Sequence, residues 1–285
     1  MTKRLLLSAL ALALVAVACG GGGGDTTEAG GDDAPAAEES TNTVEVTMQE
    51  YAYAVEGEAQ EGPLTINFTN VGEEIHHAII GKLDEGKTIE DVEKELQKDS
   101  QGPPPPWFDD GPLDETVVSP GQSSGVVLDA EAATYVLICF MPDPKGQPHV
   151  SHGMVQELVV APAEDDIAAP EPDDEISITE DGVDSPPELT AGSSVIEVTN
   201  DAEAPGEVTI AQVAEGKELK DIDKWFGSGQ KGPAPVTFFG GTHQFGPGES
   251  VTLVFDLEPG DYQFLTTFGG GADVRDIPTD FTVSE

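Results

Sequence analysis

From residue 43 onward the chain alternates apolar and polar residues in short runs. "TVEVTM" puts Val44, Val46 and Met48 on one side, and "PLTINF" does the same with Leu64, Ile66 and Phe68. A period of two is that of a strand buried on one face. "SGVVLD", "TYVLICF" and "MVQELVV" add further β-rich runs, punctuated by Pro, Gly and Asp. One segment breaks the period. In "TIEDVEKEL", Ile89, Val92 and Leu96 recur at helical spacing, Thr88 stands at the cap, and Glu90 and Asp91 fill the first turn. Short strands with one helical interruption predict an all-β chain built as a Greek-key sandwich. Composition alone also permits an immunoglobulin-like domain.

The pattern occurs twice. Aligning Asn70 with Asn200 also brings together Glu73 and Glu203, Ile80 and Ile210, and the "EGK" triplets at 85–87 and 215–217. Asp91 then meets Asp221, Lys94 meets Lys224 and Tyr135 meets Tyr262. The repeat of about 110–120 residues is domain-sized, which excludes a solenoid. It predicts two tandem sandwiches, each with a short helical insertion, over 43–162 and 174–285, joined by an acidic, Pro-containing linker at 163–173. Trp107 and Trp225 lie near the two helical insertions, where packing is the default role.

The N-terminus follows another logic. Lys3 and Arg4 precede an apolar run from Leu5 to Ala18, which reads as a secretory signal over residues 1–18. The ending "AVAC" resembles the lipobox of bacterial lipoproteins, with Ala16 at the usual Leu position. That resemblance implies a lipid-bearing Cys19, a membrane anchor and a place in the cell envelope facing away from the cytoplasm. Residues 19–42 are Gly-rich and acidic with no large apolar side chain, as expected of a flexible tether. The formal net charge of −43 repels nucleic acid and favours a cationic partner. Lys is scarce in both units, so the same charge also reads as salt adaptation.

Charge leaves the chemistry open; the cysteines narrow it. There are two, Cys19 and Cys139, so a lipidated Cys19 leaves Cys139 without a partner in the chain. Cys139 opens "CFMPDPKGQPHVSHGM", a loop between two strands that also contains Met141, His149, His152 and Met154. Strand alternation puts Tyr135, Leu137 and Cys139 on one face, with Leu158 and Val160 on the matching side of the next strand. Far upstream, "NVGEEIHHAII" offers His76 and His77, which face opposite ways, so one of them can point at the sulfur. His149 and His152 are the corresponding alternatives on the loop. One thiolate, two imidazoles and a thioether make the donor set of a blue copper site, and the Met speaks against zinc.

These segments resemble the cupredoxins, the blue copper family, over about residues 43–162. The resemblance rests on "NVGEEIHHAII", on Tyr-x-x-x-Cys at 135–139, and on His-x-x-x-x-Met with the Gly before the Met at 149–154. It implies His76, Cys139, His149 and Met154 as ligands of one type 1 copper, with His77 and His152 as alternates. It also implies a one-electron carrier rather than an enzyme, working with a redox partner protein. Two departures stand out. Nine residues separate Cys139 from His149, a length similar to the ligand loop of copper nitrite reductases, yet His77, His152 and His243 form no recognisable second copper set. His77 also occupies a position where the family commonly has an Asn that ties the ligand loops together. Copper storage or delivery, with Met141 and His152 handing the ion on, and a metal-free interaction module are the competing readings. In the second unit Gly206, Glu207, Thr266, Ala272 and Ile277 stand where His76, His77, Cys139, His149 and Met154 stand in the first, which predicts a sandwich without metal.

Overall fold

The computed structural model describes residues 42–98, 114–163, 165–268 and 275–285; the signal segment, Cys19, most of the tether and Trp107 lie outside them. In the first half β1 (Thr43–Gln49), β2 (Ala52–Glu56), β3 (Ala59–Gln60), β4 (Gly62–Asn70) and β5 (His76–Lys82) lead into α1 (Ile89–Lys98). β6 (Asp114–Val118), β7 (Ser123–Ala130), β8 (Thr134–Ile138) and β9 (Val155–Ala161) complete it. The second half opens with β10 (Asp174–Thr179), β11 (Gly182–Asp184), β12 (Glu188–Thr190), β13 (Gly192–Asn200) and β14 (Gly206–Val213), then α2 (Leu219–Gly227). β15 (Val236–Gly241), β16 (Ser250–Leu257), β17 (Gly260–Phe268) and β18 (Arg275–Ser284) follow. The fold is all-β: two cupredoxin-like sandwiches in tandem, each with one helix inserted between its fifth and sixth strands.

Residues 40–285 form one compact unit, and the halves share both sheets. One sheet runs β11-β10-β13-β16-β7-β4-β1-β2, and the other β12-β18-β17-β14-β15-β6-β5-β8-β9-β3. The joints are antiparallel. β16 pairs with β7 through Leu253 and Val126, and β15 pairs with β6 through Phe239 and Val118. Each joint unites two strands that hold the same place in the order of elements of their halves. Like-to-like antiparallel pairing is what a two-fold axis between identical units produces, so the halves associate as a symmetric dimer would. Sharing the sheets also removes four strand edges. At one joint a backbone crossing leaves no room for a side chain: Gly240 has φ +107°, and a Cβ there would lie 1.8 Å from Ser124 Oγ of the other half.

The inward residues of both sheets form one apolar core, with Phe68, Leu137, Tyr135 and Phe264 fully enclosed. β8 departs from simple alternation, because Val136 and Ile138 on its outer face are buried as well. Val92 and Leu96 of α1 cover them, packing with Leu83 and Val150. The helix begins as its sequence demands: Thr88 and Asp91 exchange side-chain to backbone hydrogen bonds at 3.3 and 3.4 Å. The strand that leads into Cys139 is thus clamped from two sides.

Candidate metal centre

Three donors from three segments meet at one end of the first half. His76 opens β5, Cys139 follows β8, and His149 opens a 3₁₀ turn, His149–His152, capped by Gly153 at φ +98°. One ring nitrogen of each histidine and the Cys139 sulfur all lie within 4.8 Å of one another, and all three residues are buried. His76 Nδ1 and His149 Nδ1 are 3.1 Å apart, and Cys139 Sγ is 3.4 Å from His149 Nδ1. Met154 is fully enclosed in the apolar cluster that contains Cys139, and its carbonyl accepts the Cys139 N–H at 3.2 Å.

The adjacent histidines turn away. His77 lies on the other face of β5, with Nε2 3.4 Å from Glu115. His152 points outward, with Nε2 3.1 Å from Asp143. His77 contributes its backbone instead: its N–H donates to Cys139 Sγ at 3.3 Å. A main-chain contact from His77, the departure noted in the sequence, therefore ties the His76 segment to Cys139.

The loop between Cys139 and His149 is fastened at its base and at its tip. At the base, His149 N–H donates to Met141 O and Val150 N–H to Cys139 O, both at 2.8 Å. At the tip, Asp143 Oδ1 accepts the N–H groups of Lys145 and Gln147 at 2.7 and 2.9 Å, while Oδ2 faces His152. The first segment is fixed by Asn70, whose side chain donates to Glu74 O and Val118 O and accepts the Gly72 N–H. Asn200 does the same work in the second half, toward Ala204 O, Phe245 O and the Ala202 N–H.

Two carboxylates close the outer side. Glu74 Oε2 lies 2.9 Å from His149 Nε2, which fixes the tautomer that turns the Nδ1 lone pair toward the sulfur. Glu50 Oε1 is 3.4 Å from His76 Nε2, an ion-pair distance, and that buried nitrogen has no well-aligned hydrogen bond among the described residues. Tyr51 stacks on His152 and meets the His149 ring edge-on. Sequence reasoning passed over Glu50, Tyr51, Glu74 and Asp143. Asn70 entered it only as a marker of the repeat, although a buried Asn in both units was a signal of shared hydrogen-bonding work.

Burial sets the electrostatics. It pushes the Cys139 thiol up to about 12, against the lowering effect of the His77 and Met141 backbone and the Tyr53 hydroxyl. Burial, together with the nearby His76, lowers His149 to about 4, so its imidazole is neutral at pH 7. Burial and the charges of Glu50 and Asp143 raise Glu74. Burial would raise Glu50 too, but the N–H groups of Glu73 and Glu74, at 2.6 and 2.8 Å, outweigh it and hold its carboxyl below the usual range.

The corresponding place in the second half is filled. A Cβ on Gly206 would come within 3.1 Å of the Phe268 ring and 3.3 Å of Ile178. Thr266, opposite Cys139 in the repeat, is buried with a hydroxyl that finds no partner among the described residues. Ile277 packs against the core, and Ala272 lies outside the described residues.

No protein-family model matches the chain, and no curated protein matches it by sequence. Among solved structures, a dithionite-reduced auracyanin from Roseiflexus castenholzii is 28% identical, at a TM-score of 0.32, over 43% of this chain and 98% of its own. Auracyanin B is 16% identical at a TM-score of 0.27, over 41% of this chain and 94% of its own. A blue copper oxidase from Nitrosomonas europaea is 16% identical at a TM-score of 0.23, over 85% of both chains. The chemistry assigned below rests on the side chains around Cys139.

Proposed function

We propose that the first half holds one copper ion in a type 1 site, with His76, Cys139 and His149 as its principal ligands and Met154 as a weak fourth, and that the protein carries single electrons. The convergence of the three buried donors carries this reading. Their separations suit a common ion. His76 Nδ1 and His149 Nδ1 lie 3.1 Å apart on two buried rings, so one cation would take a lone pair from each.

Bound copper supplies a one-electron couple, with sulfur donors suited to Cu(I) and imidazoles to Cu(II). The chain does the rest. Cys139 gives up a proton that burial otherwise retains, so loading releases it to solvent. The His77 N–H at the sulfur stabilises the thiolate. Glu74 orients His149, and burial of Cys139 in one apolar cluster with Met154 and Tyr53 keeps water from the sulfur. Backbone bonds at the loop base hold His149 against Cys139 without help from an ion, which limits rearrangement between oxidation states.

In this reading the protein is anchored in the cell envelope through lipid on Cys19 and exchanges electrons with a cationic redox protein. The signal pattern and the charge of −43 support those two elements. No handing-on route through Met141 and His152 is favoured, because Met141 is packed between the halves and His152 is held by Asp143. Copper titration of the purified chain tests the site: one equivalent and an intense blue colour are expected, both lost in Cys139→Ser. A copper-loaded protein without that colour rules the site type out.

A further inference from the structure

The second half contributes no ligand among the described residues, yet it rests against the residue before His76 and against the loop that joins Cys139 to His149. Ile75, the residue before His76, is buried in an apolar cluster with Ile222 of α2 and Val236 and Phe238 of β15. Met141, two residues beyond Cys139, packs against the same cluster, as do Trp225 and Phe226. The contact is also polar. Gln230 Nε2 donates to the Pro142 carbonyl at 2.9 Å, across 88 residues of sequence. Pro142 sits between the Met141 carbonyl, which holds the His149 N–H, and Asp143, which organises the loop tip.

Gln230 is held in an unusual conformation. Its φ is +55°, the one left-handed non-glycine among the described residues, and it follows Gly229 at φ +74°. Left-handed backbone at a non-glycine residue is unfavourable and persists where its surroundings impose it. Here the Gln230 N–H caps the end of α2 by donating to Trp225 O at 2.9 Å, and the Trp225 indole donates to Gly232 O at 3.1 Å. The turn aims the amide of Gln230 at the ligand loop.

We infer that the ligand-free half is a positioning device for the metal centre, acting through Gln230 on Pro142 and through the apolar seam on Ile75 and Met141. It replaces the water that a lone sandwich would have on this flank and fixes the spacing of the Cys139 and His149 donors. This inference rests on the copper reading for its redox consequence but not for its mechanical part. Gln230 touches no ligand directly, so its role is in position alone.

The test uses the full chain and Gln230→Gly, which keeps the left-handed backbone comfortable and removes only the donor. Gln263→Ala serves as a control, since Gln263 bonds Asp280 on the β17–β18 pair. In the metal-free protein, amide exchange at His149 and Val150 should run about five- to tenfold faster in Gln230→Gly, as expected for loss of one side-chain hydrogen bond, and stay unchanged in the control. In the copper-loaded protein, the reduction potential and the copper hyperfine splitting should shift in Gln230→Gly alone. Unchanged loop exchange overturns the inference. Faster exchange with an unshifted potential and spectrum overturns it as well, leaving a contact that stabilises the loop without positioning the ion. If the wild-type chain takes up no copper while loop exchange still responds, the copper reading fails and the mechanical coupling between the halves stands.

Discussion

Replacing Glu74 with Gln tests whether the outer carboxylate holds His149 for its task. Its Oε2 atom is 2.9 Å from His149 Nε2, and the imidazole is fully buried. A hydrogen bond to a charged group contributes about 1.5–3 kcal/mol. Glu74 is 24% exposed, so solvent screening favours the lower end of that range. About 1.5 kcal/mol corresponds to roughly tenfold in affinity. Loss of a carboxylate behind a ligand histidine typically costs about 10–100-fold, which agrees. Glu74→Gln should therefore bind Cu(II) about tenfold more weakly in competition with a chelator of known affinity. The metal-free protein should lose no more than about 1 kcal/mol, because the amide oxygen of Gln still accepts from His149 Nε2 and removing the charge relieves repulsion from Glu50 and Asp143. Equal copper affinity in the two proteins would refute the reasoning, since it would mean that the ring is oriented by packing alone.

Other predictions address the joints and the anchor. Gly240→Ala should destabilise the chain by about 2–4 kcal/mol in urea unfolding, from left-handed strain and a clash with Ser124; a change below about 0.5 kcal/mol would deny that β15 and β7 approach this closely. Burial would lower His243, but its 3.2 Å contact with Asp114 and that carboxylate's charge raise it above 6.5. Its contribution to stability is thus complete below pH 6.5 and is lost as pH rises through the folded value. The thermal midpoint of the metal-free protein should fall over that range, and His243→Gln should flatten the fall; parallel curves would contradict the pairing. Cys19→Ala should move the protein from the membrane fraction to the soluble fraction of cells, whereas unchanged membrane retention would remove the lipid anchor from the account.

Much of this architecture was legible because it depends on local periods. The alternation in "TVEVTM" and "PLTINF", the cap at Thr88 and the paired Tyr135 and Tyr262 each depend on neighbours a few residues away. Both tyrosines in fact reach back to a carbonyl four residues upstream, Glu131 and Glu258. Reading Cys139 as an inward residue also needed only the period of its strand. The two-sided burial of Val136 and Ile138 was not legible, because it depends on where α1 lies against the sheet. Nor was the joining of the halves, since strands able to pair with the other half look the same in sequence as strands facing solvent. The carboxylates at the mouth were hidden for a different reason. In a chain with 55 acidic residues, Glu50 and Glu74 carry no compositional signal, and only the fold shows which of them meet an imidazole.

The most direct measurement is the electron paramagnetic resonance and visible spectrum of the full chain loaded with one equivalent of Cu(II), beside the same spectra of Cys139→Ser. The account predicts an intense thiolate-to-copper charge-transfer band with a compressed parallel hyperfine splitting in the first, and neither feature in the second. A colourless protein with the wide splitting of ordinary Cu(II), or identical spectra from the two proteins, would contradict it.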